Sequence, residues 1–430
     1  TSHPQGHSVA IGEEFTMYIR FENRGAKDIT LEVENYIPEN SKLVKGLEKQ
    51  TIKLNSYDSK TIEVTYVIEE SVFTYFEDNF TRRLYFGTKV NGAEINQIAI
   101  QVGKTLTDEQ IADFIAGYYN EGKQFGDGLM YTMPMCKSTE VLYYNKTFFE
   151  KNNLKVPTTW DEMEETCKKL LELDPKCIPL GYDSEDNWFI TMCEQGGYDY
   201  TSATGDHYLF NNDDCKAFVK RFRDWYHKGY VTTEALYGGY TSGLFTELDK
   251  NTSHSYMCIG SSGGAGYQIP EGRAFEVGIA SIPQLNPDDG KVISQGPSVC
   301  ILKGGKTTDQ EVLASWLFVK YITTNMAFQT EFSSVSGYMP VLESAQDDPA
   351  YSQWLAKANG AEFLTAYVVK VGLEQADKYF TSPAFNGSSE ARDQVGDLLC
   401  ACLTTEGDDV DAFIDQAFKD AYDECVYLGG

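Results

Sequence analysis

The chain has 430 residues, 42% hydrophobic and 13% aromatic, enough for two or three domains with real cores and too apolar for a disordered chain. Its 36 Lys and Arg stand against 64 Asp and Glu, a formal charge of -28. Such a surface repels phosphate backbones and anionic membranes, which argues against nucleic acid as a partner, and a small anion would need a dedicated Arg, Lys or cluster of backbone N–H groups. No apolar run approaches the roughly 20 residues that span a bilayer, and any export signal is expected to lie outside these residues.

The first hundred residues alternate with period two. Phe15, Met17, Ile19 and Phe21 share one face, and the pattern returns in Ile29-Leu31-Val33, Ile62-Val64-Tyr66-Ile68 and Ile98-Ile100-Val102. Asn91-Gly92 between two such runs is a type I′ hairpin signal. No amphipathic helix interrupts the strands, so residues 1–104 are expected to form an all-β, immunoglobulin-like sandwich.

At Thr105-Leu106-Thr107-Asp108 the pattern becomes helical, and helices then mix with short apolar strands. Thr159-Trp160-Asp161-Glu162 reads as a capping box that opens a helix with Met163, Cys167, Leu170 and Leu171 on one side. A second helix is expected from about Asp214 to Lys228, with Phe218, Val219, Phe222 and Trp225 inward and Gly229 as its stop. Further helices fall near Gln310–Thr323, Ala391–Leu403 and Asp409–Cys425. The strand candidates are Val141–Tyr144, Ser255–Ile259, Val277–Ile282 and Ser298–Leu302. This alternation argues an α/β architecture over 105–430, with ligands at strand ends.

The ten cysteines form no CxxC pair, His is scarce at five, and no HExxH occurs, so free thiols are expected and no metal. In an exported protein, free thiols fit an anaerobic setting. No GxSxG, P-loop or GxGxxG is present, and Asp213-Asp214 and Asp408-Asp409 sit at helix starts, where Asp caps. No enzyme and no cofactor are expected.

The run KSTEVLYYNKTFFEKNNLKVPTTWDEM (137–163) resembles the hallmark of family 1 extracellular solute-binding proteins of ABC importers. MCIGSSGGAG, FEVGIASIPQ, SQGPSVCILKGG, SVSGYMPV and SPAFNGSSEARDQVG follow in the family's order, and the likeness covers about Thr107–Cys425. It implies a type II periplasmic-binding-protein-like fold of two lobes, with ABC membrane subunits as partners. The glycerol-3-phosphate-binding subgroup is the nearest, and by that resemblance Ser138, Trp188, Ser261, Ser262, Gly296, Tyr338 and Arg392 are the expected ligand-binding residues.

Each has physical sense beside a plainer alternative. Trp188 offers a flat face to a sugar, or it is core packing. Ser261 and Ser262 precede three glycines within four residues, a turn that aims hydroxyls and N–H groups at an anion or merely connects. Arg392 would grip phosphate, or pair with Glu390 or Asp393 at the surface. Tyr240, Ser242 and Gly243 are further candidates, and Gly263 stands where maltose-binding relatives carry a large aromatic.

The β region occupies the place of the family's opening βαβαβ unit, so the front of the first lobe is expected to be absent and capture of a small polyol by this chain alone weak. The expected function is capture of a carbohydrate or glycerol-phosphate-type ligand for import, at the surface of a Gram-positive anaerobe and lipid-anchored there. The alternative is a structural or adhesive surface protein with a remodelled binding domain.

Overall fold

The computed structural model describes the chain except residues 1–7, 10–13, 38–42, 70–82, 103–105, 107, 126–128, 360–362, 408 and 430. Thr105 and Thr107, at the expected change of pattern, and Asp408 therefore lie outside the described residues. The chain divides into two compact units, Thr1–Ile111 with Ile301–Lys320, and Ala112–Cys300 with Tyr321–Gly430.

In the first unit, period-two patterning produces two sheets. One has the order β1 (Ser8–Val9), β8 (Ala93–Val102), β7 (Arg83–Val90), β3 (Ile29–Tyr36), β5 (Gln50–Leu54); the other runs β2 (Glu14–Glu22), β6 (Ser59–Ile68), β4 (Val44–Lys45). All pairs are antiparallel except β1 with β8. Met17, Ile19 and Phe21 of β2 and Ile62, Val64, Tyr66 and Ile68 of β6 share one core with Val33, Ile52, Leu54, Leu84 and Phe86 of the other sheet. The β7–β8 turn carries positive φ at Asn91 (49°) and Gly92 (80°), as a type I′ turn requires. The side chains of Ile98, Ile100 and Val102 lie outside the described residues.

The second unit is built on a mixed sheet in the order β12 (Val231–Thr233), β11 (Leu180–Tyr182), β13 (Met257–Ser261), β10 (Ser138–Asn145), β15 (Val292–Gln295), β17 (Tyr379–Phe380), with β14 (Val277–Ser281) also paired to β10. Two short strands, β9 (Met133–Pro134) and β16 (Ser298–Val299), pair antiparallel apart from this sheet. β11 runs parallel to β12 and β13, whereas β10 runs antiparallel to β13, β14 and β15. The carboxyl ends of β11, β12, β13 and β15 thus lie at the same end as the amino end of β10. That end carries the cavity described below.

Helices Trp160–Leu173, Glu185–Gly196, Asp213–His227, Ser388–Thr404 and Val410–Gly429 supply much of the main core, in which Trp160, Trp188, Phe222 and Trp225 are buried. Thr159 caps its helix by accepting from the Glu162 N–H (3.1 Å), but the Glu162 carboxylate reaches Thr158, at its N–H (2.8 Å) and hydroxyl (2.7 Å). The capping box is shifted by one residue. Asn212 caps Asp213–His227, and Gly229 follows it at φ 74°. A second core gathers Val141 and Tyr143 of β10 with Val277, Ile279, Met339, Val368 and Val369.

The ten cysteines are all free thiols; Cys300 is exposed, Cys400 half-buried and the rest buried. Among the described residues no group of three or more His, Cys, Asp or Glu could hold a metal ion, and no helix is long and apolar enough to cross a membrane.

Candidate functional site

A cavity of about 620 Å³ opens at that end of the sheet, within the size range of small-ligand sites. Chain topology assembles its walls. β11 delivers Asp183 and Ser184, β12 delivers Glu234, β13 delivers Ser261 and then Gly263, β15 delivers Gln295 and Gly296, and the start of β10 supplies Ser138 and Glu140. Sheet register sets Ser138 opposite Gln295 and Glu140 opposite Ser261.

Two glycines make the shape possible. Gly296 has φ 113°, and a Cβ there would lie 2.8 Å from the Cys136 carbonyl and 2.9 Å from the Ser138 nitrogen. At Gly263 a Cβ would meet the Tyr338 ring at 2.6 Å, so the ring occupies the volume a side chain would need. Ser184 is a non-glycine residue at φ 64°, a conformation that costs about 1–3 kcal/mol and collects at functional sites.

The site is acidic. Glu140 is buried; its Oε2 accepts from the Tyr182 hydroxyl (2.7 Å), while its Oε1 is buried with no hydrogen-bond partner. Burial pushes its carboxyl up to about 8; Tyr182, Asn187 and the Arg392 charge oppose the rise, and the Asp186 charge adds to it. Asp183 accepts from the Thr241 N–H (2.8 Å) and hydroxyl (2.7 Å), yet burial still holds its carboxyl above the usual range. Glu234 is also raised, first by burial and then by the charges of Asp183, Glu185 and Asp186. Gln268, another lining residue, leaves a buried Oε1 unpartnered.

Of the seven expected residues, Ser138, Ser261, Gly296 and Tyr338 line the cavity together. Ser262 does not. It is buried behind the wall, where its Oγ accepts from the Thr139 N–H (3.3 Å), while the Ser261 Oγ accepts from the Gly263 N–H (3.2 Å).

Trp188 corrects the expectation of a stacking platform. It has 0% exposure, with ring centroids 4.7 Å from Tyr182 and 4.2 Å from Phe222. Successive helical residues point about 100° apart, so Asn187 lines the cavity while Trp188 turns into the core.

Arg392 pairs with Asp186, and its Nη2 donates to Asn187 Oδ1 (2.6 Å). Neither surface partner expected from sequence, Glu390 or Asp393, is engaged in these bonds. Asn187 Nδ2 in turn donates to Gln295 Oε1 (2.8 Å). Arg392 therefore braces a wall residue and is not itself part of the lining. Tyr240 and Ser242 do line the cavity, unlike Gly243.

Sequence reasoning missed Glu140, Glu234, Tyr267 and Gln268 as lining residues. Residues 183–187, just before Trp188, read in the sequence as an exposed cleft edge, and Asp183, Ser184 and Asn187 do line the cavity.

Comparison with known proteins agrees with this architecture. The model of the bacterial extracellular solute-binding protein family matches residues 18–359. It starts within the strands of the first unit, further toward the N-terminus than the motifs reach, and stops short of their C-terminal limit. The sn-glycerol-3-phosphate-binding periplasmic protein UgpB of Rhizobium meliloti is 28% identical over 289 residues, 64% of this chain and 63% of that protein. UgpB of Escherichia coli strain K12 is 25% identical, over 62% and 60%. The chain thus spans less than two thirds of the length of these curated relatives.

Among solved structures, UgpB from Mycobacterium tuberculosis in complex with glycerophosphocholine shares the fold at TM-score 0.59 and 20% identity, over 74% of this chain and 75% of that one. The cyclic alpha-maltosyl-1,6-maltose binding protein from Arthrobacter globiformis does so at TM-score 0.57 and 20% identity, over 75% and 78%. With four fifths of its length covered by the family model, the chain belongs to the bacterial extracellular solute-binding proteins.

Proposed function

We propose that the cavity of the second unit captures a small hydroxyl-rich solute, a sugar, polyol or glycerol-phosphate-type molecule, and presents it to the membrane subunits of an ABC importer. The observation that carries this reading is the convergence of five strand ends on one cavity of about 620 Å³. Its walls offer the Ser138, Ser184, Ser242 and Ser261 hydroxyls, the Asn187, Gln268 and Gln295 amides, and the rings of Tyr240, Tyr267 and Tyr338. Polar groups of this kind fix a polyol while aromatic faces cover its C–H side. The relatives' names, which specify glycerol phosphate and maltosyl sugars, point to the same class of ligand. The activity is capture without turnover.

On this reading residues 1–104 are an immunoglobulin-like sandwich that replaces the front of the first lobe. The chain works at the cell surface, lipid-anchored on a Gram-positive anaerobe, and the free thiols support the anaerobic setting. The experiment is a thermal-unfolding screen of the full chain against sugars, polyols and glycerophosphates. Saturable stabilisation by one class supports capture. The second reading, a structural or adhesive surface protein, rests on the independent core of the first unit. Binding to immobilised glycans, together with no response to any small solute, would favour it instead.

A further inference from the structure

We infer that the solute held in this cavity carries a protonated amine beside its hydroxyls, an inference that rests on the cavity's role in solute capture. The charge of the lining is the first observation. Glu140, Asp183 and Glu234 all face the cavity, and among the described lining residues there is no Lys, Arg or His. The nearby guanidinium of Arg392 is already committed to Asp186 and Asn187. Nor does the helix Glu185–Gly196, whose first turn borders the cavity, offer a free positive end. Glu185 and Asp186 occupy that turn and already complement its dipole.

The second observation is independent of charge count. Glu140 is 1% exposed, and its Oε1 has no hydrogen-bond partner; the Gln268 Oε1, 2% exposed by residue, is likewise unpartnered. Buried acceptors without donors cost about 1–3 kcal/mol each, so such atoms on a cavity wall await a donor. A protonated amine supplies N–H donors and the missing positive charge at once. A phosphate supplies neither and would add its negative charge beside Asp183 and Glu234.

Tyrosine completes the fit. Tyr240 is 69% exposed and Tyr267 79% exposed, both at the cavity, and the faces of such rings attract cations. Burial first, and then neighbouring acidic charge, raises the carboxyls of Glu140, Asp183 and Glu234, so that Glu140, with no solute bound, holds its proton near neutral pH. An ammonium beside these carboxyls favours their charged forms and draws the proton from Glu140 on binding, whereas a metal ion finds no group of ligands among the described residues.

The test is calorimetric titration of the full chain in an amine-free buffer near neutral pH. The probes are D-glucosamine, 2-aminoethanol, D-glucose and sn-glycerol 3-phosphate. The inference predicts that one or both amines bind at least about tenfold more tightly than glucose, the equivalent of about 1.4 kcal/mol. The phosphate is expected to bind most weakly. Glucosamine alone would place the amine on a sugar ring, and aminoethanol as well would place it on a short amino alcohol. Glu140→Gln and Glu234→Gln should each erase most of the preference for amine. The second is the safeguard against misfolding, because Glu234 is only half-buried. Equal or tighter binding of glucose or of the phosphate overturns the ammonium inference and leaves solute capture standing. Binding of none of the four overturns both.

Discussion

Replacing Glu140 with Gln should change how stability depends on pH, by an amount the structure sets. The folded chain holds this carboxyl at about 8 against an ordinary 4.5, so it keeps a proton that the unfolded chain releases. Stability is therefore lost as pH rises from about 4.5 to about 8. The gap, at about 1.4 kcal/mol per pH unit, amounts to on the order of 4–5 kcal/mol once pH exceeds the upper value. Gln preserves the acceptor for the Tyr182 hydroxyl and has no charge to bury. The variant should match the parent near pH 5 and exceed it progressively toward pH 9. Urea unfolding followed by fluorescence of the core residues Trp160, Trp188 and Trp225 reads this directly. Parallel pH profiles, or a variant that is less stable at alkaline pH, would refute the reasoning.

Other substitutions separate wall from support. Gly263→Leu drives a side chain into the Tyr338 ring and should abolish any solute-induced thermal shift. Trp188→Ala should cost about 3–5 kcal/mol by opening a core cavity, measurable by denaturant unfolding. Trp188→Phe should leave solute affinity within about twofold, since the ring touches no cavity surface. Arg392→Ala frees Asn187 and should weaken a neutral or amine solute as much as a phosphorylated one in titration calorimetry; selective loss of a phosphorylated solute would make Arg392 a direct contact. Gly296→Ala forces a Cβ against the Cys136 carbonyl at φ 113° and should destabilise by at least about 1–3 kcal/mol.

Much of the architecture was legible because periodicity and caps are local. Met17, Ile19 and Phe21 are buried as alternation requires, and Phe218, Val219, Phe222 and Trp225 face inward from the helix Asp213–His227. The hairpin at Asn91-Gly92 followed from residues that tolerate positive φ. Boundaries were less legible. The strand expected at Ser255–Ile259 runs Met257–Ser261, and the one expected at Ser298–Leu302 stops at Val299.

The site was half legible, and the reason is geometric. Ser138, Ser261, Gly296 and Tyr338 sit in loops and strand ends whose neighbours mark them. Which of two adjacent helical residues faces the cavity, Asn187 or Trp188, depends on helix rotation against the sheet, which no local pattern encodes. Glu140 was invisible for another reason. Within STEVLYYN it adjoins Ser138 and Thr139, polar residues at the start of the strand, and no local pattern shows that the fold buries it.

Capture itself is tested most directly by calorimetric titration of the full chain and of Gly263→Leu with sugars, polyols, glycerophosphates and hydroxylated amines. The account predicts saturable one-site binding by one class, weaker than about micromolar for this chain alone, and its loss in the variant. No saturable heat from any class, or binding that survives a filled cavity, would contradict it.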